Sequence, residues 1–128
     1  MKRLLAFLVT ASVVVSAYAG EFADISVKQV NKLAESKSAV IIDVNGDDSF
    51  KAGHVPGAIN FAAIKDNLAN SLPKKKDALI VAYCGNPKCG AYLKAAKAAE
   101  KLGYTNIKHM SAGISGWKAA GMKTEPGS

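Results

Sequence analysis

The sequence predicts an α/β fold: an open, mostly parallel sheet with helices on both faces. Three observations lead there. The runs AVIIDV (39–44) and ALIVAYC (78–84) are continuously apolar rather than alternating, so each strand is buried on both sides. The segments around them repeat apolar residues at helical spacing. Strand and helix alternate from Ser26 to Met122, and that alternation builds a parallel sheet through right-handed crossovers.

The elements follow in order. Met1-Lys2-Arg3 is a basic start, LLAFLVTASVVV (4–15) is a short apolar run, and Ala17-Tyr18-Ala19 is a small-x-small cleavage pattern. Residues 1–19 therefore read as a secretory signal peptide, with a short membrane anchor as the competing reading. One domain is expected over 21–123, followed by a loose tail at 124–128. Ser26-x-x-Gln29 is a capping box opening a helix with Val27, Val30 and Leu33 on one face. The strand 39–44 precedes a turn at Asn45 and a short helix over 47–52. Pro56-Gly57 suits a tight turn, followed by a short strand at 59–61. Residues 63–71 read as a helix with Ile64, Leu68 and Leu72 on one face. The strand 78–84 ends in Cys84. A helix over 90–102 stops at Gly103, which can take the left-handed cap. A strand at 106–110 and a short helix at 115–122 complete the domain.

The bulk properties exclude several function classes. Removing Lys2 and Arg3 with the leader lowers the net charge from +7 to +5 and removes the only arginine. Proteins that grip phosphate or nucleic acid use the planar guanidinium fork. The lysines are scattered apart from Lys74-Lys75-Lys76, which reads as a solvated loop. The single Trp and four Tyr form no basic-aromatic surface, so no nucleic acid is expected as partner. No membrane contact is expected after the leader is cleaved. Two cysteines are too few to staple a small exported domain, so the hydrophobic core must hold it.

Those cysteines, Cys84 and Cys89, lie in VAYCGNPKCGAYLKAA (81–96). Cys84 ends the most apolar strand, and in open α/β sheets ligands bind beyond the carboxyl ends of the strands. Loop amides over Gly85, Asn86, Pro87, Lys88, Cys89 and Gly90, a following helix dipole and the Lys88 cation would favour a thiolate at Cys84. At its ordinary pKa only ~3% of a thiol is ionised at pH 7, and a drop of about two units makes the thiolate the majority form. A buried, inert cysteine closing a core strand is the equal alternative. Metal binding is not expected. The cysteine spacing is wide, and His54 and His109 are the only histidines.

Two further stretches carry a family resemblance. IIDVNGDDSFKAGHVPGAINF (41–61) resembles the first signature of the rhodanese family: an apolar strand ending in Asp-Val, then Gly-His-Val-Pro-Gly-Ala. VAYCGNPKCGAYLKAAKAAEKLGYTNIKHMSAGISGW (81–117) resembles the second: a nucleophilic cysteine after a strand, a cradle loop, a helix to Gly-Tyr, a strand, and a closing Gly-Ile-x-Gly-Trp. The chain departs from the pattern at Asn45, where the family often has Arg, at Cys89, which takes an Arg position, and at Ala112-Gly113, usually Gly-Gly. Its span from Cys84 to Gly103-Tyr104 is also longer than in members with short loops.

The resemblance implies a single-domain sulfurtransferase, which the leader would export. Cys84 would be the catalytic nucleophile, taking sulfane sulfur from a small anionic donor such as thiosulfate. The resulting persulfide would pass its sulfur to cyanide, a thiol or a protein acceptor. Residues 85–90 would form the substrate loop, with no metal or organic cofactor. Asp43 and His54 would support the structure, Asp43 by orienting the turn at Gly53-His54. Related phosphatases and arsenate reductases use Cys-x5-Arg, and here that position is Gly90. Cys89 has several readings: a disulfide partner, a residue that resolves the persulfide, or a small core-facing residue. An exported dithiol redox protein using both cysteines, and a weakly catalytic sulfur carrier or binding module, are the alternative functions. The style of the leader suggests a bacterium with two membranes, in which export leads to the periplasm.

Overall fold

The computed structural model describes residues 22–127; the expected leader at 1–19 lies outside them. The elements are β1 (Ala23–Asp24), α1 (Val27–Ser36), β2 (Val40–Asp43), α2 (Asp47–Ala52), β3 (Ile59–Asn60), α3 (Phe61–Ile64), a 3-10 turn (Lys65–Asn67), α4 (Leu68–Ser71), β4 (Ile80–Tyr83), α5 (Tyr92–Lys101), β5 (Ile107–His109) and α6 (Gly113–Ala119). The strands form one five-stranded sheet in the order β1-β5-β4-β2-β3. Every pairing in it is parallel. The fold class is the one the alternating strands and helices predict.

Side-chain alternation in β4 divides the interior in two. Ile80, Ala82 and Cys84 join Ile42, Leu68, Leu72 and the alanines of α5 on one face. Val81 and Tyr83 join Val30, Ile41, Phe50, Met110 and Trp117 on the other. Thus α3, α4 and α5 cover one side, and α1, α2 and α6 the other. Ala95, Ala96 and Ala99 are fully buried. Their small side chains let α5 lie close to the sheet, directly behind the loop that leaves β4.

Local signals place the helix ends. The Ser26 hydroxyl accepts from the Gln29 N–H at 3.1 Å, and the Gln29 side chain accepts from the Ser26 N–H at 3.1 Å. Gly103 takes φ +95 after α5. The Pro56-Gly57 turn closes with the Ala58 N–H on the Val55 carbonyl at 2.9 Å.

Three expectations need correction, and one strand has no counterpart among them. The helix over 63–71 is broken into α3, the 3-10 turn and α4, because Asn60 caps a start at Phe61 and Asn67 leaves helical geometry at φ −139. Its apolar face is kept: Leu68 and Leu72 are buried and Ile64 packs against them. The final helix starts two residues early, at Gly113. β1 carries no sequence signal, since both its residues are exposed. The tail is not loose up to residue 127: Glu125 pairs with His54 through two backbone bonds of 2.9 Å, and the Gly127 N–H donates to the Lys51 carbonyl at 2.9 Å.

Ile42→Ala should cost about 2–5 kcal/mol by opening a cavity under the sheet, and Ser26→Ala about 1 kcal/mol by removing the cap. Urea unfolding of both variants beside the wild type checks the ranking.

Candidate active site

The carboxyl ends of β2, β4 and β5 converge at Cys84. Its residue exposure is 1%. The parallel register aligns Asp43 with Tyr83 across β2 and β4, and Ala82 with His109 across β4 and β5. The loop leaving Cys84 is therefore flanked by the segments that follow β2 and β5.

The start of α6 fixes the loop's first residues. The Ile114 N–H donates to the Cys84 carbonyl at 2.9 Å, and the Ser115 N–H donates to the Gly85 carbonyl at 3.0 Å. Gly113 immediately precedes these two donors at φ +65, and a Cβ there would come within 2.5–2.7 Å of the Gly85–Asn86 peptide. Only glycine allows this approach. Position 113 is the second residue of the Ala-Gly pair noted as a departure in sequence, so the departure spares the position where glycine is required.

Asn86 curls the rest of the loop. Its side-chain oxygen accepts from the Lys88 N–H at 2.9 Å, and its carbonyl accepts from the Cys89 N–H at 3.1 Å. This Asx-type turn brings Cys89 back over Cys84. The two are joined by a disulfide, with Cα atoms 6.3 Å apart. The Cys84 sulfur also lies 3.3 Å from the Cys89 carbonyl oxygen. Cys89 is half-buried against the α5 side of the core.

The expected ring of amides from 85 to 90 is thinner than the sequence suggests. Pro87 has no N–H, and those of Lys88 and Cys89 are used inside the loop. Among the described residues, the amides of Gly85, Asn86 and Gly90 are not used inside the loop. Beside them stands Asn45, whose side-chain oxygen lies 3.5 Å from where a Cβ on Gly85 would sit. Its Nδ2 is buried and has no hydrogen-bond partner among the described residues.

Asp43 is fully buried and supports the site from below. One oxygen accepts from the Tyr83 hydroxyl at 2.6 Å, and the other accepts from the Asn45 N–H at 2.8 Å. The Tyr83 hydroxyl in turn accepts from the Val55 N–H at 3.1 Å. Asp43 therefore reaches the turn after His54 through Tyr83. Burial first, then the charge and hydrogen bond of Asp43, push the Tyr83 phenol far above its usual range, so it stays protonated as the donor. His54 holds a different contact: its Nδ1 is 2.8 Å from the Phe50 carbonyl, and its ring stacks on Phe50 at 3.7 Å. Its Nε2 lies 3.9 Å from the Glu125 carboxylate.

Sequence reasoning missed the pair His109–Tyr92. The rings stack at 3.3 Å with an interplanar angle of 6°, tying the end of β5 to the first turn of α5 beside the cysteine loop. His109 Nε2 is buried and has no hydrogen-bond partner among the described residues. Among those residues no group of three or more His, Cys, Asp or Glu could hold a metal ion. Nor is any helix there long and apolar enough to cross a membrane.

Comparison with known proteins decides the family. A sequence model of the rhodanese-like domain matches residues 26–120. The chain belongs to the rhodanese-like family. It is 30% identical over 102 residues to a thiosulfate sulfurtransferase, GlpE, of Pseudoalteromonas translucida, covering 77% of this chain and 91% of that one. It is 34% identical over 95 residues to an HTH-type transcriptional regulator, Rv0324, of Mycobacterium tuberculosis. That match covers 73% of this chain and 40% of the regulator, so this chain spans less than half of that relative's length. The crystal structure of the BH2092 protein from Bacillus halodurans superposes with a TM-score of 0.70 at 24% identity, over 81% of this chain and 77% of that one. It shares the rhodanese-like fold.

His109 gives a pH signature. Burial lowers its pKa below the ordinary value, an effect only partly offset by Asp24. Its contribution to stability is then whole above the unfolded pKa of about 6.5 and is lost as pH falls through the lower folded value, because the unfolded chain binds the proton first. Against the wild type, His109→Phe should lose less stability between about pH 8 and about pH 5, read from urea midpoints. An equal loss in both would contradict this.

Proposed function

We propose that this domain is a sulfurtransferase that moves sulfane sulfur from a small anionic donor such as thiosulfate to a thiophilic acceptor, through a persulfide on Cys84. The observation that carries the reading is the placement of Cys84, buried at the carboxyl end of the central strand β4 and followed by a glycine-bounded loop and the N-terminus of α5. Membership of the rhodanese-like family supports it, as does likeness to a protein named thiosulfate sulfurtransferase.

The reaction starts from the reduced pair. The Cys84 thiolate attacks the outer sulfur of the donor, the sulfur–sulfur bond breaks, and sulfite leaves with the electron pair. The amides of Gly85, Asn86 and Gly90 and the Asn45 carboxamide are the donors available to the incoming anion, and Lys88 adds a cation. The persulfide's terminal sulfur then passes to a thiol, a protein acceptor or cyanide. The protein chemistry requires no metal or organic cofactor. Phosphate-ester cleavage is disfavoured, because the chain's only arginine is Arg3 and the loop offers no bidentate grip on an oxyanion. The leader-like residues 1–19 support export to the periplasm, where a Cys84–Cys89 disulfide would persist until reduced.

The test is thiocyanate formation. Reduced wild-type chain supplied with thiosulfate and cyanide should form thiocyanate, and Cys84→Ser should fall to the background rate. Thiocyanate formation that survives in Cys84→Ser, or is absent from both the reduced wild type and reduced Cys89→Ser, would contradict the assignment.

A further inference from the structure

Sulfur transfer through a persulfide needs one cysteine, and this site holds two. Cys89 does not meet Cys84 by the mere proximity of neighbours in sequence. A chain leaving β4 straight into a helix would carry position 89 away along the helix axis. The two hydrogen bonds to Asn86 prevent this, delay α5 until Tyr92, and fold Cys89 back. The carbonyls of Cys84 and Gly85 are meanwhile pinned by α6. One sulfur is thus fixed and the other is carried on a turn that ends against it, with Cα atoms 6.3 Å apart, inside the range a disulfide spans.

We propose that Cys89 is a resolving cysteine, which discharges the Cys84 persulfide as hydrogen sulfide and makes the domain a reductase of sulfane sulfur driven by an external dithiol. This rests on the persulfide chemistry proposed above for Cys84. In the first step Cys84 takes the sulfane sulfur and sulfite leaves. In the second, the Cys89 thiolate attacks the Cys84 Sγ, the inner sulfur of the persulfide. The bond between Cys84 Sγ and the sulfane sulfur breaks, and its electron pair leaves with that sulfur as hydrosulfide, which takes up a proton. The sulfane sulfur is reduced by two electrons, and the two cysteines are oxidised to their disulfide. The inner sulfur is the atom Cys89 reaches, since it is the one to which Cys89 is joined.

An external dithiol then resets the pair. Cys84 is 1% exposed while Cys89 is half-buried beside the exposed residues 86–88, so the attack falls on the Cys89 sulfur. Cys84 leaves as the thiolate, the form a positive loop stabilises and the better leaving group. The second thiol of the reductant closes the mixed disulfide and frees Cys89. The balance is thiosulfate plus a dithiol giving sulfite, hydrogen sulfide and the disulfide of the reductant. The partner is therefore a small dithiol or a dithiol-bearing redox protein.

The test is a single turnover without reductant under anaerobic conditions. Reduced wild type, Cys89→Ser and Cys89→Ala are each mixed with thiosulfate, and intact mass, sulfite and sulfide are followed together. The wild type should end two hydrogens lighter and release one sulfite and one sulfide per chain. Both Cys89 variants should release sulfite, end one sulfur heavier, and release no sulfide. A wild type that keeps the extra sulfur and releases no sulfide overturns the resolving role and leaves the sulfurtransferase reading standing. A Cys89 variant that releases sulfide as the wild type does also overturns it. If no sulfur is taken up and no sulfite is released by any of the three, the persulfide reading itself fails.

Discussion

The site depends on two hydrogen bonds, from the amides of Ile114 and Ser115 to the carbonyls of Cys84 and Gly85. A strand that ends in the interior leaves carbonyls that must be paired, because a buried unpaired backbone group is costly. Here the first turn of α6 supplies the donors. The contact is close enough that position 113 tolerates no side chain. It fixes the direction in which the chain leaves β4, and therefore where the Cys84 sulfur and the next amides stand.

A second constraint acts from beneath. Asp43, Tyr83 and Val55 link the ends of β2 and β4 to the Pro-Gly turn through a hydroxyl that both donates and accepts. Burying a carboxylate without a cation is costly unless its lone pairs are met. The Tyr83 hydroxyl and the Asn45 N–H meet them, and in doing so position Asn45 beside Gly85. The charge at Asp43 is thus part of the scaffold. With Asn45 at its rim, the loop presents neutral donors and one exposed lysine, Lys88, in place of an arginine's planar fork.

Much of this was legible from the residues, for physical reasons. β2 and β4 are buried on both sides, so their apolar runs leave little choice of element, and the Ser26 box and Gly103 mark helix ends through local bonds alone. The site cysteine was legible because it stands at a strand end and within two ordered signatures. The misses have a common cause. The Asp43–Tyr83 bond joins residues 40 apart in sequence, the His109–Tyr92 stack joins separate elements, and β1, with no apolar signal, is held by its pairing with β5 and by the Asp24 carboxylate on the Ser111 N–H. None of these is a local preference. The break at Asn67 and the docking of Glu125 on His54 are tertiary in the same way. The loop shows the limit best: its glycines suggested a full ring of amides, but the Asn86 turn spends two of them to bring Cys89 home.

The central claim is that this scaffold holds Cys84 as an activated thiolate rather than an inert core thiol. The most direct measurement is the ionisation of Cys84 in reduced Cys89→Ser, followed by thiolate absorbance and by the pH dependence of alkylation. An apparent pKa well below the ordinary value of about 8.5 is the predicted result. A value at or above it would mark a buried thiol with burial dominating, and would contradict the account.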